Sequence, residues 1–324
     1  MKNRLITVLQ GIVMGIVEVI PGVSGSTLAL VMGIYDDFVD LLHDVSTFGK
    51  SVLFFMIGKK TFEEVKLDFF RINFVFGGFL FLGMLIGILV FAHVMSYLLE
   101  NFPTYTYGFF FGLIIASLRV PWSHIPASSK KMTSVLLILL SFLITFLILG
   151  IKPAVSVTNP NPILALVGGF FAICAMILPG VSGSFILLMF GLYDYVILGI
   201  KEFTKLSISL NHFIDLSFVG VGIILGFTFF VRLLKKLLVN YRGEIMAVLI
   251  GLMLGSLRII WPFMDVNSAE ELTSMTKTLP FSSTVQTQES FIIFGIIFLT
   301  MIGIHLINQP ASNKNLPKNL PSDL

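Results

Sequence analysis

Long uncharged apolar runs separated by short polar segments dominate the chain. They fill Ile72–Leu99, Asn101–Leu118, Met132–Ile151, Leu216–Val231 and Ser290–Asn313. A sixth, Ile245–Leu257, lies between Glu244 and Arg258 and continues through Ile259, Ile260 and Trp261. A hydrocarbon layer about 30 Å thick is crossed by roughly 20 apolar residues of helix. The pattern therefore predicts six membrane-spanning helices, drawn at 72–99, 101–122, 132–151, 213–234, 244–262 and 289–308. Two further apolar stretches, 5–42 and 162–200, are broken near their middles by proline and glycine. Their arms are about Leu5–Ile20 with Ser26–Tyr35, and Ile163–Leu178 with Phe185–Tyr193. Sixteen helical residues reach about 24 Å and ten about 15 Å, so each stretch reads as a re-entrant hairpin. Two full but distorted spans are the alternative. The N-terminal stretch opens on Lys2 and Arg4 as a leader would. Glu18 and Pro21 interrupt it and no A-x-A site follows, so it is expected to be retained. Residues 309–324 are polar and are expected to form a disordered cytoplasmic tail.

The apolar pattern is duplicated. Residues 21–26 read PGVSGS, and residues 179–184 read PGVSGS again, at an offset of 158. At the same offset Gly11 matches Gly169, Leu30 Leu188, Gly33 Gly191, Tyr35 Tyr193 and Asp36 Asp194. A second block recurs at an offset of 139, where Asn101 matches Asn240, Ser117-Leu118-Arg119 matches Ser256-Leu257-Arg258, and Trp122 matches Trp261. The smaller offset means that the first half carries extra residues between the blocks, and the polar stretch Gly58–Arg71 is where they fall. The halves are drawn at 1–152 and 153–308, each one hairpin and three spans. An odd number of crossings per half places the halves in opposite orientations. With both termini cytoplasmic, sixteen of the 21 Lys and Arg fall inside, as the positive-inside rule requires. The expected fold is an all-α polytopic membrane protein with an inverted-topology repeat, an architecture of secondary transporters.

Composition agrees and closes other routes. Hydrophobic residues make up 56% of the 324 and charged residues 12%, and mean hydropathy is +0.96. Soluble domains are about 25% charged. A net charge of +3 gives no basic patch for nucleic acid. Cys174 is the only cysteine, which excludes an intrachain disulfide, and the five histidines lack metal-ligand spacing.

Chemistry concentrates at the two PGVSGS elbows. Proline ends one arm without needing a donor, the glycines let backbone approach a ligand, and Ser24 or Ser26 (Ser182 or Ser184) stands where a helix N-cap stands. Unpaired amides, hydroxyls and a helix N-terminus at one point make an anion site suited to phosphate. Within hydrocarbon such donors must be satisfied. The elbow candidates are Gly22, Ser24, Gly25 and Ser26, with Gly180, Ser182, Gly183 and Ser184. The bland alternative is a packed tip capped by its own serines. Arg119 and Arg258 hold equivalent repeat positions near opposite faces and are candidates to grip a headgroup. Glu18, costly in an apolar arm, is a candidate for proton coupling or for an ion pair with an arginine, and its repeat partner is Met176. Asp36 and Asp194 close the second arms and are secondary candidates. No metal, cofactor or catalytic residue is expected.

With GIVEVI before the first elbow, GxYD after each second arm and the repeated SLR, the sequence resembles the bacterial polyprenyl-phosphate transporters of the PopT type, over about residues 5–308. The resemblance implies translocation of undecaprenyl phosphate from the outer to the cytoplasmic leaflet of the bacterial plasma membrane, recycling the lipid carrier for cell-wall synthesis. It also implies that Ser24, Gly25, Ser26, Ser182, Gly183, Ser184, Arg119 and Arg258 contact the phosphate. Two other readings stay open. Undecaprenyl-diphosphate phosphatases also have inverted repeats and a Glu-x-x-Pro lead, but their second Glu is Met14 here, and their tip Arg is Gly25 or Gly183. A small-anion channel or exchanger would use the same glycines, serines and arginines.

Overall fold

The structure, a computed structural model, describes residues 2–18, 24–125, 132–151, 160–205, 209–265, 276–277, 279–281 and 287–307. Gly22 and the tail 309–324 lie outside the described residues. The architecture is all-helical, apart from a two-residue antiparallel pairing of Met264–Asp265 with Thr276–Lys277. The first half runs α1 (Lys2–Glu18), α2 (Gly25–Val31), α3 (Tyr35–Met56), α4 (Phe62–Arg71), α5 (Phe74–Asn101), α6 (Pro103–Ser117), α7 (Arg119–Ser123) and α8 (Met132–Ile148). The second runs α9 (Pro162–Ile177), α10 (Gly183–Met189), α11 (Tyr193–Thr204), α12 (Leu210–Asn240), α13 (Arg242–Ser256) and α14 (Thr287–Ile307).

The sequence repeat is a repeat of backbone. Helices α2 and α10 begin and end at positions 158 apart, and α6 and α13 at positions 139 apart. The break after each short helix uses a glycine in the left-handed region, Gly33 at φ 71° and Gly191 at φ 68°. Three residues of broken helix then lead into Tyr35 or Tyr193, the first residue of α3 or α11.

Helices occupy the predicted spans, with one systematic difference. The runs 101–122 and 244–262 do not continue as single helices, because α6 stops at Ser117 and α13 at Ser256. Ser117 donates its hydroxyl back to the carbonyls of Leu113 and Ile114, and Ser256 to that of Met253. Such back-bonding bends helices. The next amides, Leu118 and Leu257, bond only three residues back, at 3.3 Å in both halves. Two helices extend what the apolar pattern predicts. The hairpin segment at 5–42 runs on into the 22-residue α3, and the extra residues of the first half form α4. A capping box starts α4, in which Thr61 accepts from the Glu64 amide and Glu64 accepts from the Thr61 amide.

Glycine seams hold the helices together in pairs. Side chains dissolve in lipid as readily as they pack together, so small residues that allow close backbone approach decide which helices associate. A methyl group added at Gly11 or Gly15 of α1 would overlap backbone of α5, and one at Gly83 or Gly87 would overlap backbone of α1. Gly169 of α9 and Gly222 and Gly226 of α12 make the same seam in the second half. Two further seams cross between halves. Gly108 and Gly112 of α6 face Ile293 and Ile297 of α14, while Gly251 and Gly255 of α13 face the Ile138–Thr145 stretch of α8. In every pair the facing residues advance together, so the helices run parallel. The last helix of each half is thus seated on the other half. By length and composition, Phe74–Phe91, His212–Asn240 and Gln288–His305 are each able to cross a membrane.

Replacing Gly83 or Gly222 by valine is expected to separate its helix pair and lower the thermal unfolding midpoint in detergent by several degrees. Gly295→Ala and Gly303→Ala, where an added methyl meets nothing within 4 Å, are expected to leave it unchanged. Equal effects at both classes of site would contradict the seam.

Candidate functional site

The two elbows are satisfied differently. Ser24 and Ser182 hold the N-cap position in extended conformation, at φ −121°, ψ 143° and φ −96°, ψ 134°. Neither hydroxyl caps the helix, contrary to the expectation from sequence. Ser24 instead bonds the hydroxyl of Ser26, and Ser182 that of Ser184 at 2.7 Å. In the first half the cap comes from farther away, because Oε1 of Glu18 accepts the Gly25 amide at 2.8 Å. Glu18 therefore satisfies an elbow donor, and among the described residues it has no arginine partner. Met176 stands in its place in the second half and offers no acceptor.

The two halves meet at the elbows. The amide of Gly180 donates to Oγ1 of Thr27 at 2.9 Å, and the hydroxyl of Tyr35 donates to the carbonyl of Ile177 at 3.2 Å. Gly180 has φ 89°, and a methyl group there would press on the α13 backbone at Leu252–Met253. Its left-handed backbone and its close approach both demand glycine. Phe185 stands at the repeat position of Thr27, so the Thr27–Gly180 bond has no mirror-image counterpart.

Burial is unequal as well. Every residue of α2 and its N-cap is buried, with Ser24 1% and Ser26 2% exposed, whereas no residue of α10 is. Ser182, Gly183 and Ser184 line a cavity of about 300 Å³. Glu18 reaches it from the other half, and Ile173, Met176, Leu187, Ile197 and Ile223 make its walls. The cavity joins a small polar end, supplied by both halves, to apolar walls. It suits an amphiphile with a compact polar head.

The arginines are not brought to this cavity. Arg119 hydrogen-bonds to the other half, with Nη1 2.6 Å from Nδ1 of His305 near the end of α14. Arg258 donates to the carbonyl of Phe146 at 3.0 Å and lies over its ring, near the end of α8. Each SLR arginine therefore sits at the C-terminal end of the helix that its own half receives from the other. A cation is favoured there by the helix dipole. Asp36 accepts from Arg242 at 2.6 Å on the exposed side of α3, and Asp194 occupies the equivalent place at the start of α11. Thr27 and Tyr35 escape a reading by sequence. Thr27 has no repeat partner of its type, and Tyr35 is repeated but looks like part of the packing.

Thr27→Val is expected to leave the buried Gly180 amide without its acceptor, at a cost of about 1–3 kcal/mol. Thermal unfolding in detergent should show the loss. Tyr35→Phe, which removes one donor, should cost less, and stability unchanged in both would mean that these bonds do not join the halves.

The chain is similar to proteins of one family over most of its length. The family model described as VCA0040-like, undecaprenyl phosphate translocase-like, matches residues 14–278. A polyprenyl-phosphate transporter of Vibrio cholerae is 34% identical over 308 residues, covering 92% of this chain and 93% of its own. A polyprenyl-phosphate transporter of Staphylococcus aureus is 30% identical over 272 residues, covering 82% and 88%. No solved structure matches the chain significantly. With both elbows inside the matched residues, the chain belongs to the undecaprenyl phosphate translocase-like family.

Proposed function

We propose that this protein carries undecaprenyl phosphate from the outer to the cytoplasmic leaflet of the bacterial plasma membrane, as a transporter and not as a phosphatase. The observation that carries the reading is the cavity at Ser182–Ser184, whose polar end meets apolar walls. The prenyl chain stays in the bilayer, and the protein lowers the barrier for one charged headgroup. Hydroxyls and elbow amides hold the phosphate, weakly enough to release it. A neutral Glu18 carboxyl beside the phosphate avoids charge repulsion and would couple the headgroup to a proton. Phosphatase chemistry lacks its parts, since Met14 and the elbow glycines stand where that family has a second carboxylate and an arginine.

Alternating access follows from duplication. Two equivalent elbows in unequal environments, one sealed and one lining a cavity, correspond to one end of a cycle whose other end exchanges their roles. Opposed halves fit the helix pairing. Helices α6 and α14 run parallel, and so do α8 and α13, so a chain that turns back between α6 and α8 sets α13 antiparallel to its repeat partner α6. Arg119 and Arg258 then serve at opposite faces, where each receives or releases the headgroup. The hairpins are re-entrant and both termini cytoplasmic.

In vesicles loaded with undecaprenyl phosphate, the reconstituted protein should move the lipid between leaflets. Arg119→Ala and Arg258→Ala should each slow that movement by about tenfold or more, the worth of a lost charge-assisted hydrogen bond. Full activity in both would remove the arginines from the site, and orthophosphate released from the diphosphate would end the transporter reading. Cysteines placed at Lys59 and Lys277 should be labelled from opposite faces of the membrane, and labelling from one face would refute opposed halves.

A further inference from the structure

Away from the elbows, a buried polar network joins α11 to α12. His212, in the first turn of α12 and 7% exposed, lies between two oxygen acceptors. Its Nδ1 is 2.9 Å from Oε2 of Glu202, and its Nε2 is 3.0 Å from the carbonyl oxygen of Tyr195. A neutral imidazole has one N–H to donate. With Glu202 ionised and the ring neutral, one nitrogen would point a lone pair at an oxygen within hydrogen-bonding distance. Both contacts are satisfied only when the pair carries one more proton, either on the ring or on the carboxyl. The proton count is the same in both cases.

The surroundings are shaped around this ring. A methyl group at Gly199 would lie 2.8 Å from Nε2, so α11 keeps a glycine where the imidazole enters. The Tyr195 ring lies against it, with centroids 4.2 Å apart, and its hydroxyl donates to Oδ2 of Asp215 at 2.7 Å. Among the described residues, Glu202 and Tyr195 of α11 and Asp215 of α12 are the titratable groups facing His212. Helix α9, packed along α12, carries no charged side chain, and Lys205 follows α11 on the exposed side. Arg232 and Lys235, which meet α3, lie 20 or more residues along α12, roughly 30 Å away. Glu202, with a side chain 31% exposed, is the route by which the proton reaches water. Tyr193, Val196 and Ile197 of the same α11 line the cavity of the second elbow.

We propose that His212 and Glu202 form a proton-binding site that latches α11 to α12 and so sets one wall of the second elbow's cavity. Protonated, the pair makes both bonds. On deprotonation one bond becomes a repulsive contact, and α11 keeps the Tyr195–Asp215 bond and the packing of Val196 on Val219. The latched state, which binds the extra proton, gains as pH falls and loses as pH rises. The latch itself is a property of the bare protein; its consequence for transport rests on the function proposed above.

Spin labels on cysteines at Leu198 of α11 and Phe213 of α12, both exposed, report the latch in lipid nanodiscs free of polyprenyl phosphate, in a Cys174→Ser background. Dipolar EPR should show one short distance at low pH. A longer one should grow as pH rises. The ratio of the two should change about tenfold or more, as expected for one charge-assisted bond. His212→Gln and Glu202→Gln should each remove the pH dependence. Gly199→Ala, which keeps both titrating groups but displaces the ring, should do the same, so the test survives poor folding of the first two. Distances that ignore pH in the parent protein would overturn the proposal, as would pH dependence that persists in all three variants. In vesicles of undecaprenyl phosphate, a working latch without lipid movement would sink the transport reading and leave the latch standing.

Discussion

Close approach of helix backbones is the constraint on which this structure rests. In lipid, apolar side chains gain little by leaving the solvent, so contact area decides association. Four parallel helix pairs achieve that contact by putting glycine where the backbones touch. The seam glycines obey the duplication: Gly83 and Gly87 recur as Gly222 and Gly226, and Gly112 as Gly251, all at an offset of 139. Two of the four pairs join the halves to each other. Neither half buries its last helix on its own residues, so the two halves interlock.

Interlocking is what brings the elbows together. A broken helix at membrane depth exposes donors that lipid cannot satisfy, and this chain satisfies them in two ways. In the first half Glu18 accepts an elbow amide and the short helix is buried. In the second, Met176 offers nothing, Thr27 from the opposite half takes the Gly180 amide, and the serines beyond it line a cavity. Two differences between the repeats, Glu18 against Met176 and Thr27 against Phe185, thus give a duplicated motif two unequal environments. The site is polar mainly at its end, where the Ser182–Ser184 hydroxyl pair meets the Glu18 carboxyl, and apart from Tyr193 its walls are apolar.

The arginines show how a sound chemical argument meets a competing one. A guanidinium repeated against the charge bias suggested a phosphate clamp. In the folded chain both arginines sit at the ends of exchanged helices, where the carbonyl of Phe146 and the ring of His305 engage them. That placement stabilises the exchange of helices and puts each arginine at the rim of the bundle, away from the elbow cavity. A role in receiving a headgroup at the rim is compatible with it, whereas simultaneous contact by both arginines and the elbows is not a feature of this conformation.

Membrane character, the duplicated halves, the two elbows and nearly every helix follow from the apolar pattern and its repeat, because hydrocarbon imposes length and internal hydrogen bonding on each segment locally. The end of α6 at Ser117 and the helical continuation through α3 do not follow, since hydroxyl back-bonding and interfacial packing leave no periodic mark. Which helices pair was decided only in three dimensions: glycines announce that some backbone comes close, but not whose. The same holds for Glu18 as a cap, for Thr27 against Gly180, and for His212 between Glu202 and Tyr195. Each of these joins groups whose type is ordinary and whose meaning lies in the distance between them, which no local rule along the chain fixes.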